Sequence, residues 1–332
     1  MSNYSNAIGI DISRDTFDFH DYKLETHKEY PNSEPGFKQL LSQAKKDHGK
    51  NLNGIIICME HTGLYSLPIS VFLTQKNVSF SMIPGLEIKK SLGMAREKND
   101  KIDAYQIARY AYLRREEIKE FELPSEDILK LKSLLSLRER MVKHRTSYLG
   151  HLKELKAFYK KNKNPLLFKI QKKLIKELSI QIKCIETEMI EIIKNDPNLK
   201  NLYYLVTSVK GVGLIVGITF LVYTNAFTAF ENWRQFATYS GIAPFSDESG
   251  KSRKKPKKVS HMANKRIKAL LSNSATTSIL HNPEMRLYYE KRISEGKSKM
   301  STLNIIRNKI VSRVFAVVKR GTPYVDTLKY AG

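Results

Sequence analysis

The chain has 332 residues, 41% of them hydrophobic, which suits about two folded domains and excludes an intrinsically disordered protein. Its 57 Lys and Arg against 33 Asp and Glu leave a formal net charge of +24, a field that selects polyanions, nucleic acid before an anionic membrane surface. Only two cysteines, Cys58 and Cys184, occur far apart, which excludes a cysteine-based zinc site or a disulfide framework and fits a reducing compartment.

The first segment, MSNYSNAIGID, lacks the basic-then-apolar run of a signal peptide, so a cytoplasmic, nucleoid-associated protein is expected. AIGIDI (7–12) is a short apolar strand ending in an acid, and TFDFHDY (16–22) alternates as a half-buried hairpin partner. GFKQLLSQAKK (36–46) carries apolar residues at helical spacing. NGIIICME (53–60) is a second apolar strand ending in an acid, followed by a Gly63 turn and a helix over about 64–75. VSFSMIP (78–84) reads as a strand and 104–113 as a helix. Strands alternating with helices predict an α/β layer domain over 1–120.

From Pro124 the pattern changes. Ser125 can cap a helix, and Leu134, Leu137, Met141, Tyr148, Leu155 and Phe158 then fall at heptad-compatible spacing, with His144 and His151 interrupting the seam. After KNKNP (161–165) a second helix carries Leu178, Ile182, Ile185, Met189 and Ile192. Two long amphipathic helices predict a coiled-coil spacer over 121–196, packed within the chain or between copies. Asp196-Pro197 closes it. The remainder, 197–332, reads as mainly helical around a loop-like basic centre, with nine Lys or Arg and no acid between Ser249 and Lys268. Gly211 to Phe230 holds no charge, but glycines and polar residues break its apolar runs, so no membrane span is expected.

Three constellations could carry chemistry. Asp11 and Glu60 end two apolar strands, and neighbouring strand ends can bring such acids to one edge of a sheet. Asp100 and Asp103, at i and i+3 of a helix, lie about 5–6 Å apart on one side. Singly, each is an ordinary surface or capping acid. Together, four carboxylates suit two hard cations, Mg²⁺ or Mn²⁺, of the kind that stabilise both oxygens of a phosphodiester displacement. The second constellation is SVKGVGLIVGI (208–218): Lys210, Gly211 and Gly213 between helices would leave amides free for a phosphate in the manner of a helix–hairpin–helix, although close helix packing through glycine explains the pattern equally. The third is YSGIAPFSDESGKSRKK (239–255), where Ser249 precedes Gly250 in a polar loop, with Ser246 and Ser252 as rivals and no base identifiable nearby. Lys251, Arg253, Lys254, Lys255, Lys257, Lys258, Lys265 and Arg266 are candidate phosphate contacts.

In this order the motifs resemble those of the DEDD transposases of insertion sequences, the bridge-RNA-guided serine recombinases. GIDIS (9–13), EHTGLY (60–65), KNDKIDA (98–104), VKGVG (209–213), FATYSGIAPFSDESGKSRKK (236–255) and RGTPY (320–324) match collinearly over almost the whole length. The resemblance implies an RNase H-like, RuvC-like first domain whose metal ligands are Asp11, Glu60, Asp100 and Asp103. It implies Ser249 as the nucleophile that joins covalently to a DNA phosphate, in a mainly α C-terminal transposase domain. It also implies a structured guide RNA, DNA at element ends and target, and a homo-oligomer, dimer to tetramer, whose composite sites pair domains of different subunits. Three departures stand out: Lys210 replaces a usual proline, Glu248 a frequent serine, and Ala263-Asn264 a glycine-led turn, which leaves the start of the following helix open. The competing expectations are a metal-dependent RuvC-like junction nuclease, a DNA invertase, and a non-catalytic nucleic-acid-binding protein.

Overall fold

In a computed structural model the described residues are 4–61, 63–92, 99–159, 165–249 and 253–326, with backbone alone at 92, 247–249 and 253–257. They form two compact units, Met1–Leu123 and Pro124–Gly332.

The first unit runs β1 (Asn6–Ile12), β2 (Thr16–Asp21), β3 (Thr26–Pro31), α1 (Glu34–His48), β4 (Ile55–Glu60), α2 (Leu67–Gln75), β5 (Phe80–Ile83), α3 (Gly85–Leu92) and α4 (Asp100–Leu113). The sheet order is β3-β2-β1-β4-β5. The first three strands are antiparallel, whereas β4 and β5 run parallel to β1. Alternation decides the two faces. Ile8, Ile10 and Ile12 bury one face with Phe17, Phe19, Ile57 and Met59, against Phe37 and Leu40 of α1 and Ile69 and Leu73 of α2. Ala7, Ile56 and Cys58 bury the other against Ile107, Tyr110 and Ala111 of α4. Each fully buried Ile or Phe contributes about 1.5–3 kcal/mol. Gly9 allows the second layer to close: a Cβ there would lie 2.2 Å from the Ala104 carbonyl oxygen and 2.3 Å from the Ala108 amide nitrogen.

Two elements are absent from the expectations above. α3 is a short helix directly after β5. β3 is an edge strand in which only Tyr30 is buried, so THKEYP needs no apolar alternation.

The second unit opens with α5 (Glu126–Phe158) and α6 (Pro165–Asn195), 33 and 31 residues long and packed antiparallel. Arg138 Nε meets Glu186 Oε1 at 2.7 Å, and Gln171 Nε2 meets His151 Nδ1 at 2.8 Å. Ser125 caps α5, accepting from the Ile128 amide at 3.3 Å. The buried ridge of α5 is Ile128, Leu131 and Leu135, while Leu134, Leu137 and Met141 are only partly buried and Phe158 is 82% exposed. The ridge is displaced from the expected seam because the stem of α5 packs against a further helix, α8, as well as α6.

Then follow α7 (Pro197–Ser208), α8 (Leu214–Tyr223), α9 (Trp233–Tyr239), β6 (Pro244–Ser249), β7 (Arg253–Val259), α10 (Lys265–His281), α11 (Pro283–Ser294) and α12 (Lys299–Arg320). Their shared core includes Phe220, Phe236, Leu271, Ile306, Ile310 and Val314. Among the described residues no helix is long and apolar enough to cross a membrane.

The loop expected around the basic run is instead an antiparallel hairpin of β6 and β7. Pro256 and the surrounding lysines argue against a strand by propensity. The pairing shifts register between Phe245 and Asp247, a bulge that accommodates the proline, which has no amide hydrogen to donate. The start of α10, left open by the sequence, is fixed by Asn264, whose side chain accepts from the Ile267 amide at 3.2 Å.

Candidate active site

The sheet assembles the four acids by strand alternation and register. Ala7 and Gly9 face α4, so Asp11 at the end of β1 continues that face, as Glu60 does beyond Ile56 and Cys58 on β4. β1 and β4 are parallel with Ile10 opposite Met59, so Asp11 and Glu60 emerge at the same edge of the sheet. α4 enters over this edge. Asn99 caps it by accepting from the Ile102 amide at 2.8 Å, which places Asp100 and Asp103 in its first turn. Acids there also complement the positive end of a helix, an ordinary stabilising role.

Electrostatics shows that the acids share one region. Burial pushes the Asp11 carboxyl up to about 6, and the charges of Asp103, Asp100, Glu60 and Asp18 push in the same direction. Gly85, at the start of α3, leaves room for Glu60: a Cβ there would fall 1.9 Å from Glu60 Oε1. The donors are all carboxylate oxygens, the set that suits a hard divalent cation. Among the described residues no three His, Cys, Asp or Glu are already gathered at metal-ligating separation. Mutual repulsion of like charges favours such spacing.

One residue of this region was not singled out from sequence. Asp18 on β2 lies directly opposite Asp11 in the ladder, and its Oδ1 is 2.6 Å from His27 Nε2. The signal was present: Phe17 and Phe19 face the core, so Asp18 must face the side that Asp11 occupies.

In the second unit, α7 and α8 flank the turn 209–213, the segment for which sequence offered a helix–hairpin–helix or close packing through glycine. Gly211 has φ +92°, and a Cβ there would lie 2.7 Å from the Ser274 carbonyl oxygen, so only glycine fits. Ser274 Oγ donates to the Gly211 carbonyl at 2.6 Å. Gly213 starts α8 without a side-chain cap, and Gly211, Gly213, Ile215, Asn273 and Thr277 line an open cavity of about 530 Å³. Amides at an uncapped helix start can take a phosphate oxygen. Glu186 also borders the cavity, its carboxylate held by Arg138 at 2.7 Å, and Lys210 is exposed beside the turn.

Ser249 is the last residue of β6, opposite Arg253 in the hairpin register; Lys254 stands opposite Glu248 and Lys255 opposite Asp247. Lys257 is also on β7, whereas Gly250, Lys251 and Ser252 lie outside the described residues. Lys98 and Thr62 of the acidic motifs lie outside them too. Lys258 and Lys265 are exposed. Arg266, a candidate phosphate contact by sequence, already has partners within the protein. Its Nε pairs with Glu139 Oε2 at 2.7 Å, and its Nη2 donates to the Leu135 carbonyl at 2.9 Å. Its guanidinium is therefore engaged in tying α10 to α5, a partnership between residues far apart in sequence.

Comparison with known proteins supports both halves of the chain. A transposase family model of the IS110 DEDD type matches residues 8–157, and one described as Transposase IS116/IS110/IS902 family matches residues 203–290. The pilin gene-inverting protein of Moraxella bovis is 25% identical over 327 residues, 96% of this chain and 97% of that protein. Its Moraxella lacunata counterpart matches to the same extent. An uncharacterised 43.6 kDa protein of insertion element IS110 from Streptomyces coelicolor is 28% identical over 120 residues, 36% of this chain and 29% of that protein.

Proposed function

Given that the chain belongs to the DEDD transposases of insertion sequences, we propose that it is an RNA-guided transposase that cuts and rejoins DNA through a phosphoserine intermediate. The observation that carries this reading is the convergence of Asp11 and Glu60 at one sheet edge with Asp100 and Asp103 in the first turn of α4, where burial first and the neighbouring carboxylates second raise the pKa of Asp11. The strand order, three antiparallel strands followed by two parallel ones, supports an RNase H-like, RuvC-like first domain. Asp11, Glu60, Asp100 and Asp103 would hold Mg²⁺ or Mn²⁺. Bound there, such a cation supplies Lewis acidity and charge neutralisation at a scissile phosphate.

Ser249 Oγ forms an ester bond to phosphorus as the bond from phosphorus to the DNA sugar oxygen breaks. The serine gives up its proton, and the departing oxygen becomes a DNA hydroxyl. A second DNA hydroxyl then attacks the phosphoserine and restores the free serine, so bond energy is conserved and no nucleoside triphosphate is needed. The absence of a GxxxxGK[ST] motif from the sequence agrees with this. The α7–α8 turn, Lys258, Lys265 and the bases of β7 would grip backbone phosphates. A guide RNA and a dimer to tetramer with α5 and α6 as a coiled coil complete the proposal.

A second reading, site-specific DNA inversion, is favoured by the nearly full-length match to the pilin gene-inverting proteins. It uses the same strand exchange with a different arrangement of sites.

The test is a denaturing gel of labelled element-end DNA, cognate RNA and Mg²⁺ with wild type, Ser249→Ala and Asp11→Ala. A protein–DNA adduct that needs both residues is expected. Cleavage without adduct, unaffected by Ser249→Ala, would replace this reading with a metal-dependent nuclease.

A further inference from the structure

Beyond α8 the chain makes a constrained turn. Asn225, Ala226 and Phe227 take left-handed φ values of +48°, +52° and +69°, which side-chain-bearing residues seldom adopt in succession. Hydrogen bonds hold the turn: the Phe227 amide donates to Thr224 Oγ1 at 2.9 Å and the Ala226 amide to the Leu221 carbonyl at 2.8 Å. The turn sets Phe227 edge-to-face with Phe315 of α12, ring centroids 5.2 Å apart. Beside this pair opens a cavity of about 580 Å³ bordered by Phe227, Phe230, Trp233 and Phe315, all half-buried. Asn232 and Ser312 add an amide and a hydroxyl, and Lys319 stands exposed at the border with Glu231. The Arg234 guanidinium lies 4.9 Å from the Trp233 ring.

We propose that this cavity receives a nucleobase unstacked from a single-stranded stretch of DNA or RNA. Four aromatic side chains form a stacking site for a flat heteroaromatic ring, which an aliphatic side chain of a protein partner would not require. The Asn232 oxygen caps α9 by accepting from the Arg234 and Gln235 amides at 3.0 and 3.2 Å, which leaves its NH2 group, with the Ser312 hydroxyl, to meet ring nitrogens and exocyclic oxygens. Lys319 and Arg234 offer positive charge for the phosphates that flank an unstacked base, a complementarity that an apolar peptide would leave unused. The proposal rests on the nucleic-acid function above and adds a base-binding site in the second unit. A strained turn retained beside an open aromatic cavity is consistent with a site shaped for a ligand.

Trp233 is the single tryptophan of the chain, so the cavity carries its own reporter. Full-length protein is titrated with a single-stranded DNA oligonucleotide, its RNA counterpart, and a deoxyribose-phosphate strand of equal length without bases. Trp233 emission is followed in each case, and fluorescence anisotropy of labelled duplex element-end DNA is measured separately. A base-bearing strand is expected to quench emission roughly twofold by stacking. The baseless strand should leave emission unchanged, and quenching by DNA or by RNA identifies the source of the base. Ala316→Leu, on an exposed position that borders the cavity, should abolish quenching and leave duplex anisotropy as in wild type. Equal quenching by the baseless strand would overturn the proposal in favour of phosphate contact. Emission that changes with protein concentration alone would overturn it in favour of a second copy of the chain. Anisotropy that rises without quenching by any strand would sink the cavity proposal and leave the function standing. Absence of any anisotropy change would count against the function itself.

Discussion

Asp11 illustrates how a single carboxyl reports on its surroundings. Its folded-state pKa of about 6 lies above the ordinary 3.8, so the metal-free fold is penalised when Asp11 is charged. The penalty is absent below about pH 4, grows as pH rises, and is complete above about pH 6. Asp11→Asn is therefore expected to raise the melting temperature of metal-free protein at pH 7, with the gain shrinking towards pH 4. Partial solvent screening limits the effect to about 1–2 kcal/mol. Mg²⁺ should stabilise the wild type and not the variant, as differential scanning fluorimetry can show. Two glycines separate architecture from site. Gly9→Ala drives a methyl into the α4 backbone, which cannot yield, so thermal unfolding should reveal a loss of about 1–3 kcal/mol or more. Gly85→Ala meets only the movable end of Glu60, so stability should stay near wild type while Mg²⁺-dependent cleavage falls. The placement of Asp11 and Glu60 near strand ends and of Asp100 and Asp103 at a helix start was legible in the sequence. The two glycine contacts were not, because each depends on which distant backbone arrives.

At the scale of elements, strands with apolar alternation or apolar runs and helices with marked signals were readable, including β1, β4, the Ser125 cap and the α7–α8 turn. β3 and the β6–β7 hairpin were not. Their residues are polar, and cross-strand pairing rather than burial of a continuous apolar face defines them. The partners of Arg266 were not readable either, since a lysine- and arginine-rich run does not disclose which member has an acid waiting on another helix. This yields a paired prediction. Arg266→Ala should destabilise the protein by about 1.5–3 kcal/mol through loss of its charged hydrogen bonds to Glu139 and Leu135. Lys265→Ala should leave stability unchanged and lower the slope of log affinity against log salt by about 1. Urea titration and DNA binding across salt concentrations separate the two.

For the whole molecule, a net charge of +24 makes electrostatics the long-range term in recognition. If 6–10 phosphates are contacted, affinity for element DNA should drop about 10³–10⁵-fold between 50 and 200 mM salt, measurable by filter binding. A loss below tenfold would mean that few of the basic residues meet DNA. The sequence by itself determined the charge, the alternation of strand and helix in the first 120 residues, the long helices that follow, and the collinear acids and serine that point to the family. These follow from local chemistry: periodicity, capping and composition act within a few residues. Only the tertiary structure decided that Gly9 and Gly85 make room for α4 and Glu60, that Asp18 joins the acids, that Arg266 is occupied, and that four aromatic residues enclose a cavity beside a strained turn. Each of these depends on residues distant in the chain meeting through packing, and local periodicity does not specify which distant surfaces will meet.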